Sequence, residues 1–480
     1  MSVTTVPHYH SGGFHPGAAE RVLEVPNPAT GQIIGRVPVA TREEVDAAAA
    51  SARAAFWPWR ATPVAERAEV MFRYKARLDA QRDELARLLT AENGKPLAEA
   101  HAEVGRGIEV VAFATGMPTL MMGTSLEDVS RGVDSELIRV PVGVIAGICP
   151  FNFPAMIPLW MFPIAIAAGN AFILKPSELT PLTGTRLVEL LYEAGLPPGV
   201  MNLVHGDREV VDQLLVHDEV DGVSFVGSQP VAEHIYKTAS TAGKRVQAMA
   251  GAKNHLIVMP DAVLEKTVPA IIGSGFGSAG ERCLAGSVVV AVGGIADALV
   301  DSLVEAAGKL KIGDGAAAGM ELGPVIRSQA KERIEAHIAA GEREGARPRR
   351  AASGVPDKGF FLPPVIFDHA RPEMSIAREE IFGPVLTVIR VDTLDAAIAV
   401  ANRSRLGNAA AIFTQSGPAA RKFRYEIEAG MVGVNVGVPA PAAYFPFSGW
   451  KKSFYGDLHA TGRDAVEFYT KKKVVTTRWF

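Results

Sequence analysis

No charged side chain occurs between Arg139 and Lys175, so the run from Val140 to Leu174 is wholly uncharged. Such a run either crosses a membrane or lies inside a folded core. A spanning helix needs about 20 apolar residues and an unbroken hydrogen-bond ladder. Here Pro150, Pro154, Pro158 and Pro163 interrupt the run, and Asn152 and Asn170 lie within it. The stretch therefore reads as a buried strand, "VGVIAGI", then a turn, then a buried helix through "AMIPLWMFPIAIAAG". Burying it requires a large core, and 48% hydrophobic against 21% charged residues in a 480-residue chain provides one. At about 100–200 residues per domain, two or three domains are expected.

The texture around this segment sets the fold class. Residues 41 to 104 carry Ala, Glu and Arg at helical spacing and read as helices with solvated charged faces. After the uncharged run, short apolar strands alternate with helical patterns: "AFILKP", "TGTRLVELLYEAG", "VMNLVHG", "REVVDQLLVH", "GVSFVGS" and "VQAMAG". That alternation predicts a doubly wound α/β sheet with ligands at the carboxyl ends of its strands. A second alternating block runs from "NHLIVM" through "SVVVAV" and "PVLTVIRV" to "AAIFTQ". The tail "EFYTKKKVVTTRWF" reads as an edge strand that seeks a partner, such as another subunit. The leading "MSVTTVPHYHSGGFHPG" reads as a short flexible lead with no targeting pattern.

A net charge of −3 argues against nucleic acid or an anionic membrane as partner. Two cysteines cannot build a disulfide framework, which suits a reducing, cytoplasmic setting. No metal-ligand spacing is read.

One of those cysteines, Cys283, lies in "GERCLAG", just after "GFGSAG" at 275–280. The glycines match G-x-G-x-x-G, but a dinucleotide fingerprint follows a strand and opens a helix. Here a helical pattern precedes them and a strand comes after, so they read as tight packing and a sharp helix exit. Cys283 then sits on a turn. A lone cysteine is commonly a small buried hydrophobe. Arg282 beside it favours the thiolate form, while the preceding helix presents its carboxyl end and offers no help.

Five motifs occur in order: "PFNFP" at 150–154, "ILKPSE" at 173–178, "FVGS" at 225–228, "GERC", and "EEIFGPV" at 379–385. Together they resemble the aldehyde dehydrogenase superfamily over nearly the full chain. "PFNFPAMIPLWMFPIAIAAGN", "GAKNH" and "VPAPAAYFPFSGWKKSFYG" are similar to its CoA-acylating branch, the methylmalonate-semialdehyde (malonate-semialdehyde) dehydrogenases. The resemblance implies a Rossmann-type NAD-binding domain, an α/β catalytic domain and a small β oligomerisation arm in a homotetramer. It divides the chain into an N-terminal helical part of the NAD domain (1–125), bridging strands (126–141), the NAD domain proper (142–251), the catalytic domain (252–440) and a return segment with the arm (441–480).

The resemblance also assigns roles. Cys283 is the nucleophile, and Asn152 with the Cys283 N–H holds the oxyanion; without the other motifs, Asn152 reads as a turn residue that bonds its own backbone. Lys175 and Glu178 bind the adenosine ribose, Glu178 selecting NAD over NADP, where the plain alternative is a surface ion pair. Leu179 stands where relatives often carry Arg. Ser228 faces the pyrophosphate from a helix amino terminus, with Ala232 where relatives often carry Gly. Ala250, Cys149 and Phe151 line the cofactor cleft, Glu380 holds the nicotinamide ribose, and Phe382 packs near the ring. Arg106 and Arg282 take the substrate carboxylate, with Phe447 in the same pocket; a solvated helix face is the alternative for Arg106.

Met249 occupies the place where hydrolytic relatives carry a glutamate base, and a thioether cannot take a proton. The thioester on Cys283 then awaits CoA as co-substrate, and a β-carboxylate on it is set up to leave as CO2. The implied products are acetyl-CoA or propionyl-CoA, in inositol or valine breakdown. The rival readings are a hydrolytic enzyme using Glu281 as base and an idle nucleotide-binding scaffold.

Overall fold

The computed structural model describes residues 3–18, 21–350 and 354–480. The uncharged run folds as a strand, Val144–Ile148, and a helix, Met156–Ala167, both buried almost throughout. The helix is apolar all round because it lies between a sheet and other helices. It packs on strand Ala171–Lys175 and on helices Leu97–Thr115 and Gly462–Phe468. Among the described residues, no helix is long and apolar enough to cross a membrane.

Strand Val144–Ile148 is central to an eight-stranded sheet. Its order is Phe454–Tyr455, Arg245–Met249, Gly222–Val226, Val144–Ile148, Ala171–Lys175, Met201–Leu203, His8–His10, Gly13–His15. The five middle strands are parallel. The chain winds outward one way through Met201–Leu203, then returns to the other side of Val144–Ile148. A crevice thus opens at the carboxyl ends of Val144–Ile148 and Gly222–Val226, where doubly wound sheets bind ligands.

The amino-terminal segment departs from the sequence expectation. Met1 and Ser2 lie outside the described residues, but the segment up to His15 is no loose lead. His8–His10 and Gly13–His15 form a hairpin, and Tyr9 pairs with Leu203 at the sheet edge. Tyr9 is buried, with its ring 4.2 Å from Tyr192 and 4.7 Å from Phe14. Further strands at Thr4–Thr5, Val22–Pro26 and Ile33–Pro38 form a small sheet of their own. Helix Arg42–Ala61 then starts on a capping box: Thr41 Oγ1 accepts from Glu44 N at 3.3 Å, and Glu44 Oε2 accepts from Thr41 N at 2.8 Å.

The second block forms a seven-stranded sheet in the order Arg347–Arg350, Val365–Ala370, Val385–Val391, Gly286–Val292, Asn254–Val258, Ala409–Phe413, Met431–Val434. All neighbours are parallel except the first pair. Its core is separate from the cores around the first sheet. A third unit pairs Thr124–Ser130, Val133–Pro141 and Thr470–Arg478 in antiparallel. The tail strand thus finds its first partner within its own chain, with Thr470 opposite Pro141 and Arg478 opposite Val133, and leaves its outer edge open.

Tyr9→Ala tests the docked hairpin. Truncating a large buried aromatic costs about 3–5 kcal/mol, so the apparent midpoint of thermal or denaturant unfolding should fall clearly. An unchanged midpoint would mean that the hairpin adds nothing to stability.

Candidate active site

Strand Val144–Ile148 ends at Cys149, whose N–H bonds Lys175 O at 3.0 Å. The chain then turns through Pro150–Ala155 into the apolar helix. That turn is held from outside. Asn93 Nδ2 donates to Phe151 O at 3.1 Å, and Lys95 Nζ donates to Asn152 O at 2.7 Å. Lys95 also pairs with Glu103 at 2.6 Å, both side chains being 1% exposed. The other oxygen of Glu103 accepts from Ala155 N at 2.9 Å and Met156 N at 3.2 Å, capping the helix start. Residues 41 to 104 are therefore not solvated on every charged position: Lys95, Glu103, Arg67 and Glu92 are buried. With its backbone fixed, Asn152 directs Nδ2 to Glu281 O at 3.0 Å. A carboxamide carries two N–H donors, so one remains for a ligand.

The turn that carries Cys283 arrives from the second sheet's side. Helix Leu264–Phe276 ends, and Ser278, Ala279 and Gly280 come next with φ of 51°, 54° and 72°. Left-handed backbone costs non-glycine residues about 1–2 kcal/mol each. Glu99 compensates by accepting from Ser278 N at 2.8 Å and Ser278 Oγ at 2.9 Å. At Gly280 any Cβ would collide with Gly383 O, so glycine is required. The "GFGSAG" glycines thus make a sharp helix exit. Cys283 lies just beyond, half-buried, before strand Gly286–Val292. Burial pushes its thiol up to about 12; Arg282 pulls down and Glu380 pushes up. The resting sulfur is a neutral thiol.

Arg106, Arg282, Phe447 and Cys283 line one cavity of about 270 Å³. Phe447 is buried there with its ring 4.8 Å from Trp160. Arg106 is not simply a solvated residue: Nη2 bonds Pro441 O, and Nη1 meets Glu109 Oε2 at 2.6 Å. Arg282 lies 3.6 Å from Glu99 Oε1. Met249 is buried at the end of its strand, where its residue pairs with Phe454. Glu281 is buried too, but its Oε1 accepts from Ile326 N at 3.4 Å and it does not line the cavity. Burial pushes its carboxyl up to about 8, so it is protonated at neutral pH.

The remaining predicted residues gather along the crevice of the first sheet. Lys175 Nζ, nearly buried, meets Glu178 Oε2 at 3.1 Å at the carboxyl end of its strand. Leu179 packs against the second sheet's core. Ser228 is the N-cap of helix Gln229–Thr241 and its hydroxyl makes no capping bond. Ala232 is fully buried in the apolar underside of that helix. Ala250 N donates to Ser453 O at 2.8 Å, which ties the end of the sheet to the return segment. Glu380 Oε1 accepts from Ala252 N at 2.9 Å, and the Phe382 ring meets Phe151 edge-on at 5.9 Å. Cys149 is buried against Met161, sulfur to sulfur at 3.8 Å, so it is packing. Both cysteines are free. A ribose and pyrophosphate find here what they need: a buried ammonium, a carboxylate, and a free hydroxyl at a helix amino terminus.

Residues 14–475 match the aldehyde dehydrogenase family. The chain belongs to that family. This aldehyde dehydrogenase is 60% identical over 477 residues to malonate-semialdehyde dehydrogenase 2 of Geobacillus thermodenitrificans, covering 99% of both chains. It is 56% identical over 480 residues to malonate-semialdehyde dehydrogenase 2 of Geobacillus kaustophilus, again over 99% of each. The crystal structure of methylmalonate-semialdehyde dehydrogenase from Oceanimonas doudoroffii matches with a TM-score of 0.97 at 49% identity, over 99% of this chain and 98% of that one. A protein of Sinorhizobium meliloti 1021, provisionally assigned as methylmalonate-semialdehyde dehydrogenase and complexed with NAD, matches at TM-score 0.98 and 44% identity, over 100% and 99%.

Sequence reasoning missed Lys95, Glu99 and Glu103, although "NGKPLAEAHAE" carried a signal. Glu99 and Glu103 stand four positions apart in helix Leu97–Thr115 and so share a face, and Lys95 lies just ahead of that helix.

Lys95→Met should cost about 3–5 kcal/mol in unfolding free energy, the penalty for stranding a buried charge. Lys95→Met combined with Glu103→Gln should recover much of that loss. Separately, alkylation of Cys283 by iodoacetamide without cofactor should keep accelerating from pH 7 to pH 10, since its thiol sits near 12. A plateau near pH 8 would contradict the raised thiol.

Proposed function

We propose that this aldehyde dehydrogenase oxidises malonate semialdehyde or methylmalonate semialdehyde with NAD and passes the acyl group to CoA with loss of CO2, forming acetyl-CoA or propionyl-CoA. The observation that carries the reading is one cavity holding Cys283 and two guanidinium groups; Met249, at the position where the resemblance puts the base of hydrolytic relatives, offers none. The printed names of the relatives support the substrate class.

Arg106 and Arg282 hold the substrate carboxylate and turn the aldehyde toward Cys283. The Cys283 thiol gives its proton to solvent, and the thiolate adds to the aldehyde carbon. The free N–H of Asn152 Nδ2 and the Cys283 N–H stabilise the resulting oxyanion. NAD, when bound, accepts the hydride that leaves this carbon. Lys175, Glu178 and Ser228 hold its adenosine and phosphate side, and Glu380, Phe382, Phe151 and Ala250 its nicotinamide side. The product on the enzyme is a Cys283 thioester. Met249 offers no base for water and Glu281 is turned away, so the CoA thiol takes the acyl group. The β-carboxylate leaves as CO2, its bonding electrons passing to the neighbouring carbon, which then takes a proton. In this reading the enzyme works in the cytoplasm, in inositol or valine breakdown. Its three-stranded arm, with an open edge at Thr470–Arg478, joins it into a homotetramer.

Without CoA, NADH should appear as a burst near one equivalent per active site and then slowly, the mark of an accumulating acyl-enzyme. CoA should restore fast turnover and yield the acyl-CoA. A fast linear trace without CoA, giving free acid, would overturn the acylating assignment. Arg106→Leu should cost about 1.5–3 kcal/mol in kcat/KM with malonate semialdehyde, as for a lost charge-assisted contact, and little with propionaldehyde. Equal losses would make Arg106 structural.

A further inference from the structure

Two carboxamides converge on one carbonyl beside the nucleophile. Asn254 Nδ2 donates to Cys283 O at 2.8 Å, and Asn408 Nδ2 donates to the same oxygen at 3.0 Å. Both asparagines are 3% exposed. They come from neighbouring strands of the second sheet: Asn254 begins one, and Asn408 immediately precedes Ala409–Phe413. Asn254 is itself locked, donating to Ala285 O at 2.9 Å and accepting from Ala409 N at 2.9 Å. The oxygen thus accepts from two carboxamides, of which that of Asn254 is held in place by further bonds.

The peptide between Cys283 and Leu284 is trans, as all peptides are among the described residues. In a trans peptide the C=O and N–H point in opposite directions. Holding the Cys283 oxygen toward the second sheet therefore turns the Leu284 N–H the other way, toward the cleft. There the backbone N–H groups of Cys283 and Leu284 both favour the ionised sulfur. Donors on the carbonyl also polarise the peptide and strengthen its N–H as a donor.

The geometry points to Asn254 and Asn408 as positioning residues that aim the Leu284 N–H at the Cys283 sulfur and so promote its ionisation. This rests on the reading of Cys283 as the nucleophile and adds residues that act through the Cys283 carbonyl. The charged groups acting on the same sulfur are Arg282 on its own turn, which favours the thiolate, and Glu380 from the 379–385 segment, which opposes it. Glu99 stands behind Arg282 and is left unaltered in the test variants.

The test is the pH profile of iodoacetamide alkylation of Cys283 in the full-length enzyme, wild type against Asn254→Ala, Asn408→Ala and Asn408→Asp. At pH 8 the rate constant should fall about 2–10-fold in each alanine variant, the loss expected for one hydrogen bond. The profile should also move to higher pH. Asn408→Asp keeps the shape but turns an acceptor toward an acceptor, and should fall at least as far. Asn408 makes a single side-chain bond, so its two variants carry the test if Asn254→Ala does not fold. Wild-type profiles in variants that melt normally and bind NAD would overturn the proposal and leave the pair purely structural. Alkylation needs no aldehyde and no CoA, so the outcome is readable whatever the enzyme's substrate proves to be.

Discussion

The Lys95–Glu103 pair is the constraint on which the site depends. Each group alone would be a buried charge costing several kcal/mol. Together, 2.6 Å apart, they use their remaining hydrogen-bonding capacity on the backbone that carries Asn152. Lys95 takes the Asn152 carbonyl and lies 4.2 Å from the centre of the Phe153 ring, while Glu103 caps the next helix. The helical layer thereby dictates the shape of a loop that belongs to the sheet. Asn152 needs no side-chain bond to fix its own backbone, and its carboxamide is left to span the gap to the Glu281 carbonyl.

The cleft is a meeting of unlike ends. The first sheet presents the carboxyl ends of its parallel strands, and the second presents the turn that leads into the amino end of Gly286–Val292. A thiol there is shielded enough to stay protonated, which protects it from oxidation and stray electrophiles when no ligand is bound. The guanidinium groups of the cavity are likewise satisfied at rest, Arg282 beside Glu99 and Arg106 on Glu109. In the proposed reaction the substrate carboxylate enters by exchanging with these resident acids. That favours an anion small enough to reach both arginines.

Much of this was legible in the sequence. Strands buried on both faces read as unbroken apolar runs, so Val144–Ile148, Ala171–Lys175, Gly222–Val226 and Gly286–Val292 could be placed directly. Cys283, Arg282 and Arg106 do share a cavity, and the aldehyde dehydrogenase motifs fall along one crevice. The hairpin at His8–His15 was not legible because "HYHSGGFH" is polar and short. It becomes a strand pair only because the edge of Met201–Leu203 offers it a ladder and Tyr192 offers Tyr9 a ring. Lys95 and Glu103 looked like surface residues because charge usually means exposure, and the carbonyl that keeps Lys95 buried lies 57 positions away. Asn254 and Asn408 were invisible for the same reason: their common acceptor is remote from both in the chain.

One topological fact bears on how the protein is made. The eight-stranded sheet takes one edge from His8–His15 and the other from Phe454–Tyr455, which pairs with Ala248 and Met249. Synthesis delivers these pieces at widely separated times. Until the segment carrying Phe454–Tyr455 is made, strand Arg245–Met249 has an uncovered edge, and the site-bearing end of the sheet lacks the Ser453 carbonyl that ties down Ala250. Domains generally fold as they emerge, and exposed strand edges are what drives misassembly. The nascent protein therefore carries a templating edge through much of its elongation, and the cleft gains its final support only when the return segment closes the sheet.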